Sequence, residues 1–159
     1  MEEILEILEN NSKASLEEIS TMTGKGIEEI KEAINKFEKD NVILKYNTLI
    51  NWEKTSKESV TALIEVKVTP QIGEGFDKVA EKIYRYPEVK DCYLMSGGFD
   101  LTVIIEGKTM KEVAMFVAQK LSPLDSVLST STHFVLKKYK DKGTIFKEGP
   151  QDDREAIVL

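Results

Sequence analysis

The chain has 159 residues, of which 41% are hydrophobic and 31% are charged, and its formal net charge at pH 7 is −6. This composition is typical of a globular protein, and no apolar run approaches the roughly 18–20 residues of a membrane-spanning helix. A single cysteine, Cys92, and a single histidine, His133, exclude an internal disulfide and the zinc sites that need several such residues.

The first elements are predicted to be two short helices, followed by a tight turn. Residues 3–10 are acidic and amphipathic, unlike a basic, apolar signal peptide, so we expect a helix there and a cytoplasmic protein without a membrane partner. A second helix is predicted to begin at residue 16, because Ser15 and Glu18 stand at the spacing of a capping box. Glycines and polar residues at 23–26 then predict a turn of about four residues.

A third helix and a small hairpin complete the first predicted unit, residues 1–51. The helix is predicted over residues 27–39 and ends before Asn41, since asparagine tolerates the left-handed conformation that often follows a helix. Its inner apolar stripe consists of Ile27, Ile30, Ile34 and Phe37. Two β runs at 42–46 and 48–51 predict a hairpin. Helix, helix, turn, helix and hairpin is the order of a winged helix-turn-helix, a DNA-binding arrangement.

After a polar linker at residues 52–59, residues 60–140 are predicted to form a second unit with the order βαββαβ. Strands are predicted at residues 60–69, 89–96, 101–106 and 127–138, and helices at residues 72–86 and 109–121. The fold class is thus α+β, and this order is typical of the ferredoxin-like fold, in which two helices cover one face of a four-stranded antiparallel sheet. The other face is predicted to be apolar and to associate with a second copy in a homodimer. Residues 141–159 are a charged tail, either flexible or ending in a strand at 157–159.

Three short stretches stand out by their order along the chain. The predicted helix-turn-helix closes on F-E-K-D-N-V-I at residues 37–43, the turn M-S-G-G-F-D-L occupies residues 95–101, and the run S-T-S-T-H-F-V-L-K-K-Y-K occupies residues 129–140. They resemble, in the same order, the motifs L-E-E-E-G-V-I, T-G-x-Y-D-L-L and T-x-T-x-x-V-L-x-x-x-K of one family. That family is the leucine-responsive regulatory protein/AsnC (Lrp/AsnC) family of transcriptional regulators, which the chain resembles over residues 1 to about 140.

The resemblance implies a transcriptional regulator whose second unit senses a ligand. Family members dimerise through that unit, assemble further into tetramers or octamers, and bind small effectors, frequently amino acids, near the glycine-containing turn. Carried over by position, the effector-binding residues are Ser96, Gly97, Gly98, Phe99 and Asp100. Glycines let backbone N–H groups approach a carboxylate, and Asp100 can accept a hydrogen bond from an ammonium. The alternative is that the two glycines only form a hairpin turn, which Asp100 caps.

The predicted DNA-reading helix is acidic, which weakens the expected contact with DNA. Residues 1–51 contain six lysines, no arginine and eleven acidic residues, and therefore carry −5 of the net charge, whereas Lys and Arg dominate DNA affinity by neutralising phosphates. The candidate DNA-binding residues are Lys25, Lys31 and Lys36 for phosphates and Asn35 for a base edge. The alternative for each lysine is a solvated side chain paired with a glutamate, as Glu32 could pair with Lys36.

Two positions depart from the family's pattern in this helix. Gly26 stands where the family usually has a Ser or Thr helix cap, and Ala33 stands where it usually has an arginine. Two interpretations of the first unit therefore stay open. It either binds DNA weakly, with avidity supplied by an oligomer, or it has lost DNA binding and presents a surface to a partner protein.

An enzyme of similar architecture, a subunit resembling sirohaem decarboxylase, is the remaining alternative. Its substrate carries many carboxylates, which arginine binds best, but the chain has only Arg85 and Arg154. A nucleophilic pair would have to use Cys92 and His133, both inside predicted strands, whereas catalytic groups usually lie on loops or element ends. The acidic residues of the second unit show no metal-ligand spacing. We therefore expect no catalytic residue, no metal ion and no cofactor.

Overall fold

The structure is a computed structural model that describes residues 1–69, 73 and 75–146. It divides the chain into two compact units, the first being Met1–Ile50 and the second beginning at Asn51. The predicted helix start at Ile72 and the predicted strand at 157–159 lie outside the described residues. Within the described residues, no helix is both long and apolar enough to cross a membrane.

The first unit consists of three helices, α1 (Glu2–Asn10), α2 (Leu16–Thr23) and α3 (Ile27–Lys39). The capping box predicted at the start of α2 is confirmed. The Ser15 side-chain oxygen accepts a hydrogen bond from the Glu18 N–H at 3.2 Å, and the Glu18 carboxylate accepts one from the Ser15 N–H at 2.8 Å. These two bonds satisfy backbone donors that the helix itself leaves free, which is why α2 begins here.

The core of the first unit differs from the predicted stripe of α3 at two positions. Ile27 is 40% exposed, whereas Ala33 is only 5% exposed. Ile27 is the first residue of the helix, and Ala33 lies three residues after the fully buried Ile30, so Ala33 shares the inward face. The buried side chains of this unit are Ile4, Leu8, Ile19, Ile30 and Ala33, with Ile34 and Phe37 packed against them.

The predicted wing hairpin is wrong. Residues 42–51 are all described and contain no β-strand. The backbone N–H groups of Val42 and Ile43 both donate to the Phe37 carbonyl, at 2.8 and 3.1 Å, so the start of the expected strand closes the end of α3 instead. Asn41 adopts the left-handed conformation predicted for it, with φ of 55°. Few residues remain to pair, and an isolated two-stranded hairpin is only marginally stable.

The second unit has the predicted βαββαβ order and is confirmed as an α+β, ferredoxin-like sheet. Its elements are β1 (Val60–Val68), α4 (Asp77–Tyr84), β2 (Val89–Leu94), β3 (Leu101–Gly107), α5 (Met110–Phe116) and β4 (Val127–Phe134). The four strands are antiparallel neighbours in the order β2-β3-β1-β4. One π-helical turn, Val117–Leu121, continues α5, and a 3-10 turn, Trp52–Lys54, precedes β1.

Two strands that the sequence did not predict follow β4. They are β5 (Lys140–Asp141) and β6 (Thr144–Ile145), which pair antiparallel at the start of the segment expected to be a charged tail. Gly143 between them has a φ of 78°, a left-handed conformation that glycine adopts without strain. β4 itself ends at Phe134, four residues before its predicted end.

The core of the second unit lies between the sheet and its two helices. Alternate residues of β1 and β3 point into it, since successive side chains of a strand point to opposite faces of the sheet. The buried side chains are Ala62, Ile64, Val66, Val68, Val79, Ile83, Leu101, Val103, Ile105, Val113, Phe116, Val117 and Leu121. Residues 113, 116, 117 and 121 of α5 and its π-helical continuation are all among them.

The open face of the sheet is polar, so the prediction of an apolar face is wrong. In the strand register, Glu65 of β1 lies between Thr102 of β3 and Ser131 of β4, and Leu63 lies between Ile104 and His133. The His133 Nε2 is 3.3 Å from the Ser131 Oγ and 3.6 Å from the Glu65 Oε1. Leucine and isoleucine thus alternate with charged and hydroxyl side chains.

Candidate nucleic-acid interface and candidate ligand site

The turn between α2 and α3 is fixed by side-chain hydrogen bonds. Gly24 has a φ of 70°, which ends α2 in the left-handed conformation. The Ser20 hydroxyl donates to the Lys25 carbonyl at 2.6 Å, and the Lys25 N–H donates to the Thr23 hydroxyl at 3.4 Å. The two helices are therefore held at a defined angle, as a helix-turn-helix requires, with Lys25 partly buried in the turn.

The three other candidate DNA-binding residues lie on α3 and are exposed. Lys31 and Asn35 are four residues apart and share one face of the helix, whereas Lys36 is rotated about 100° further round. Lys39 is also exposed and lies four residues after Asn35, in line with Lys31 and Asn35. Lys39 is not among the four candidate residues predicted from the sequence, although its four-residue spacing from Asn35 indicated it.

Acidic side chains border these lysines along α3. Glu28 and Glu29 lie in its first turn and Lys36 and Lys39 in its last, an order that suits the helix dipole. In the described part of the chain, no ion pair joins the lysines of α3 to its glutamates, so the predicted Glu32–Lys36 pair is absent. The N-terminal residues of a recognition helix usually lie nearest the DNA, so negative side chains in this turn would repel its phosphates.

The segment after α3 packs back onto the helix through Tyr46. The Tyr46 hydroxyl donates a hydrogen bond to the Glu38 carboxylate at 2.8 Å. Burial, together with this bond and the Glu38 charge, raises the pKa of Tyr46 to about 12. Tyr46 is therefore a protonated donor at neutral pH, and it holds the segment at the point where the first strand of the predicted wing, residues 42–46, would have ended.

The candidate effector turn is anchored to the sheet by Asp100. The Met95 N–H donates to the Asp100 carbonyl at 2.8 Å, which closes the turn, and the Asp100 N–H donates to the Val66 carbonyl at 3.0 Å. The Asp100 Oδ2 accepts from the Val68 N–H at 2.8 Å. Asp100 thus holds the end of β1, so it has a structural role whether or not a ligand contacts it.

The rest of the turn is open to solvent. Ser96, Gly97 and Gly98 are exposed, and Phe99 is half-buried. Gly97 has a φ of 123°, which a residue with a Cβ rarely adopts, and a Cβ on either glycine would meet no atom within 4 Å. The space over both glycines is therefore free for a ligand, whose carboxylate could approach their backbone N–H groups.

No nucleophilic pair forms from Cys92 and His133. Cys92 lies opposite Val103 on the helix-covered face of the sheet, while His133 lies opposite Leu63 on the open face. Burial raises the pKa of the Cys92 thiol, which disfavours the thiolate needed for nucleophilic attack. Among the described residues, no group of three or more His, Cys, Asp or Glu side chains could hold a metal ion.

Comparison with known proteins identifies relatives over nearly the whole chain. The Lrp/AsnC ligand binding domain matches residues 61–145. An uncharacterised HTH-type transcriptional regulator of Bacillus subtilis (strain 168), YugG, is 56% identical over 157 residues, covering 98% of this chain and 94% of YugG. The HTH-type transcriptional regulator FL11 of Pyrococcus horikoshii is 35% identical over 138 residues, covering 87% and 88% of the two chains.

A solved structure has the same fold. The crystal structure of the transcriptional regulator NMB0573 of Neisseria meningitidis, in complex with L-Met, superposes with a TM-score of 0.72 at 21% identity and covers 91% of this chain and 92% of that one. All these relatives are named as regulators and none as an enzyme, so they give no support to the decarboxylase alternative.

Proposed function

The chain belongs to the Lrp/AsnC family of HTH-type transcriptional regulators, and we propose that its first unit contacts DNA while the turn Ser96–Asp100 in its ligand-binding second unit senses an amino acid. For the first unit, the observation that carries the proposal is the helix-turn-helix with its exposed lysines. Lys25, Lys31 and Lys36 neutralise phosphates, and Asn35 contacts a base, since an asparagine amide can form two hydrogen bonds with the N6 and N7 atoms on one edge of adenine.

The charge of the first unit sets the strength of this contact. With −5 on residues 1–51, few phosphates are neutralised by each copy, and the affinity of one copy is low at physiological salt. Two or more copies bound to neighbouring half-sites raise the overall affinity through effective concentration. The proposed regulator is therefore one that binds DNA only as an oligomer.

The proposed oligomer is a homodimer that uses the open face of the sheet and assembles further into tetramers or octamers. Leu63 and Ile104 lie side by side on this face and supply its apolar centre, while Glu65 and Lys67 supply charges around it and His133 supplies a polar ring. A polar rim around a small apolar centre is the usual make-up of a protein interface.

For the second unit, we propose an amino acid as the effector. The ligand's carboxylate accepts hydrogen bonds from backbone N–H groups at Gly97 and Gly98, and its ammonium donates to Asp100. The open space over the two glycines supports this arrangement. The L-Met complex of the Neisseria meningitidis regulator supports the choice of an amino acid as the class of ligand.

A thermal-shift panel of the common amino acids at millimolar concentration tests the effector proposal. An amino acid that binds, and that is present at a concentration well above its Kd, is expected to raise the unfolding midpoint of the wild type by several degrees. The Gly98→Val variant fills the open space over the turn and should lose this rise. Gly26→Ala is the matched control, because Gly26 also has open space around it and a φ of −67° that alanine adopts. A wild-type midpoint that no amino acid moves would contradict the proposal.

A further inference from the structure

A cleft lies in the second unit, away from the candidate effector turn. It has a volume of about 180 Å³ and lies between the last residues of β3 and α5. Its lining includes Glu88, Ile105, Gly107, Glu112, Phe116 and Lys120. The candidate effector turn leads directly into Leu101, the first residue of β3. The cleft is lined by Gly107, the last residue of the same strand. A strand of this length separates the two places by roughly 20 Å.

Glu88 brings an unused hydrogen-bond acceptor to this cleft. Its Oε1 pairs with the Lys120 ammonium, and its Oε2 is buried with no hydrogen-bond partner among the described residues. The bond from Lys120 lowers the pKa of the Glu88 carboxyl, so the group is ionised at neutral pH. A buried charged oxygen without a donor is costly, so a ligand that brings an N–H donor to it gains a charge-assisted hydrogen bond there.

The positive charge of Lys120 is already engaged by other groups. Besides Glu88, its Nζ lies 5.3 Å from the centre of the Tyr86 ring and 5.7 Å from that of Phe116, within the range of cation–π attraction. The two rings stack edge to face with centres 5.5 Å apart. Lys120 lies in the π-helical turn Val117–Leu121, a geometry that often occurs at functional sites.

A second carboxylate and a glycine complete the wall of the cleft. The Glu112 Oε2 accepts a hydrogen bond from the Lys108 N–H at 2.5 Å, which fixes the carboxylate at the start of α5. A Cβ on Gly107 would lie 3.2 Å from this oxygen and 3.1 Å from the Val113 Cγ2. Glycine at position 107 therefore keeps open the space beside the Glu112 carboxylate.

We propose that this cleft binds a small organic cation, namely a primary ammonium that carries a short apolar chain. The ammonium donates hydrogen bonds to Glu88 and Glu112, and the chain lies against Ile105 and Phe116. Three glutamates, Glu88, Glu106 and Glu112, line the cleft against one engaged lysine. The cleft therefore has a net negative charge, which selects a cation over a carboxylate. The apolar walls select an alkyl chain over a bare metal ion, which needs more oxygen ligands.

Isothermal titration of the full chain with n-butylamine at neutral pH tests this proposal. The wild type is expected to bind it saturably, and Glu88→Gln, which keeps the shape but removes the charge, is expected to bind at least about tenfold more weakly. Gly107→Ala should also weaken binding, by crowding Glu112. Glu81→Gln is the control, because Glu81 is an exposed carboxylate of α4 in the same unit, paired with Arg85, and it should bind like the wild type.

Two further titrations separate this cleft from the effector turn and from general charge attraction. The Gly98→Val variant should bind n-butylamine unchanged, whatever its response to amino acids. Butyrate, which has the same chain and the opposite charge, should not bind. The absence of saturable binding by the wild type, equal binding by Glu88→Gln, or preferential binding of butyrate would each overturn the proposal.

Discussion

The Asp100→Ala variant is expected to lose about 1–3 kcal/mol of unfolding free energy, the usual cost of removing one partner from a buried hydrogen bond. The reason is that the Asp100 Oδ2 is the acceptor for the N–H of Val68, a residue that is only 4% exposed. Alanine leaves that N–H without its partner and releases the end of β1 from the turn. Denaturant unfolding, followed by circular dichroism, measures the loss. Stability equal to that of the wild type would contradict the structural role of Asp100.

Asp100→Asn separates this structural role from the proposed role in ligand binding. Asparagine keeps an oxygen that can accept from Val68, so the stability should stay near that of the wild type, but the negative charge is lost. If Asp100 also binds the ammonium of an effector, the variant is stable and fails to respond to the amino acid that stabilises the wild type. A stable variant with a wild-type response would show that Asp100 serves only to cap the turn.

The second large expected effect concerns the charges of α3. Replacing Lys31 and Lys36 together with glutamine is expected to weaken DNA binding about tenfold or more at 50 mM salt and to reduce the slope of log affinity against log salt by about 1.8. Each lysine is exposed and has no ion-pair partner on α3 in the described part of the chain, so each is free to meet a phosphate. Fluorescence anisotropy with labelled duplex DNA gives both quantities.

Replacing Glu28 and Glu32 with glutamine is the matched opposite change. These carboxylates lie on the same outward face of α3, and removing their repulsion of phosphates should strengthen binding by about tenfold, equivalent to about 1.4 kcal/mol. A pair of variants that both leave DNA affinity unchanged would favour the other interpretation of this surface, in which it meets a partner protein.

The first unit shows which local patterns predict structure. Ser15 and Glu18 are three residues apart, so their capping box could be predicted from spacing alone, as could the left-handed Asn41. The wing could not, because the N–H groups of Val42 and Ile43 had two possible partners. Whether they pair in a hairpin or close α3 through the Phe37 carbonyl depends on tertiary packing rather than on β propensity.

In the second unit, the order of helices and strands along the chain could be predicted from the spacing of apolar residues. The polar character of the open face of the sheet could not. Leu63, Glu65 and Lys67 are visible in the sequence as the outward residues of β1. What faces them depends on register, and it is the pairing of β1 with β3 and β4 that sets Ile104 and His133 beside Leu63.

At both candidate sites, contacts between residues distant in the sequence could not be predicted either. The turn at residues 96–100 could be predicted from its glycines, but its anchoring could not, because Asp100 and Val68 are 32 residues apart. Glu88 and Lys120 are separated by the same distance along the chain. No local pattern links two such residues, and only the fold brings them together.

The most direct test of the regulator proposed here is a titration of the full chain against DNA from its own upstream region. Fluorescence anisotropy should detect binding at about 50 mM salt, and the affinity should fall steeply and log-linearly as salt rises towards about 200 mM. Addition of the amino acid that stabilises the second unit should shift that affinity. The absence of any binding at about 50 mM salt, where phosphate contacts are strong, would contradict the account and assign α3 to a protein partner instead.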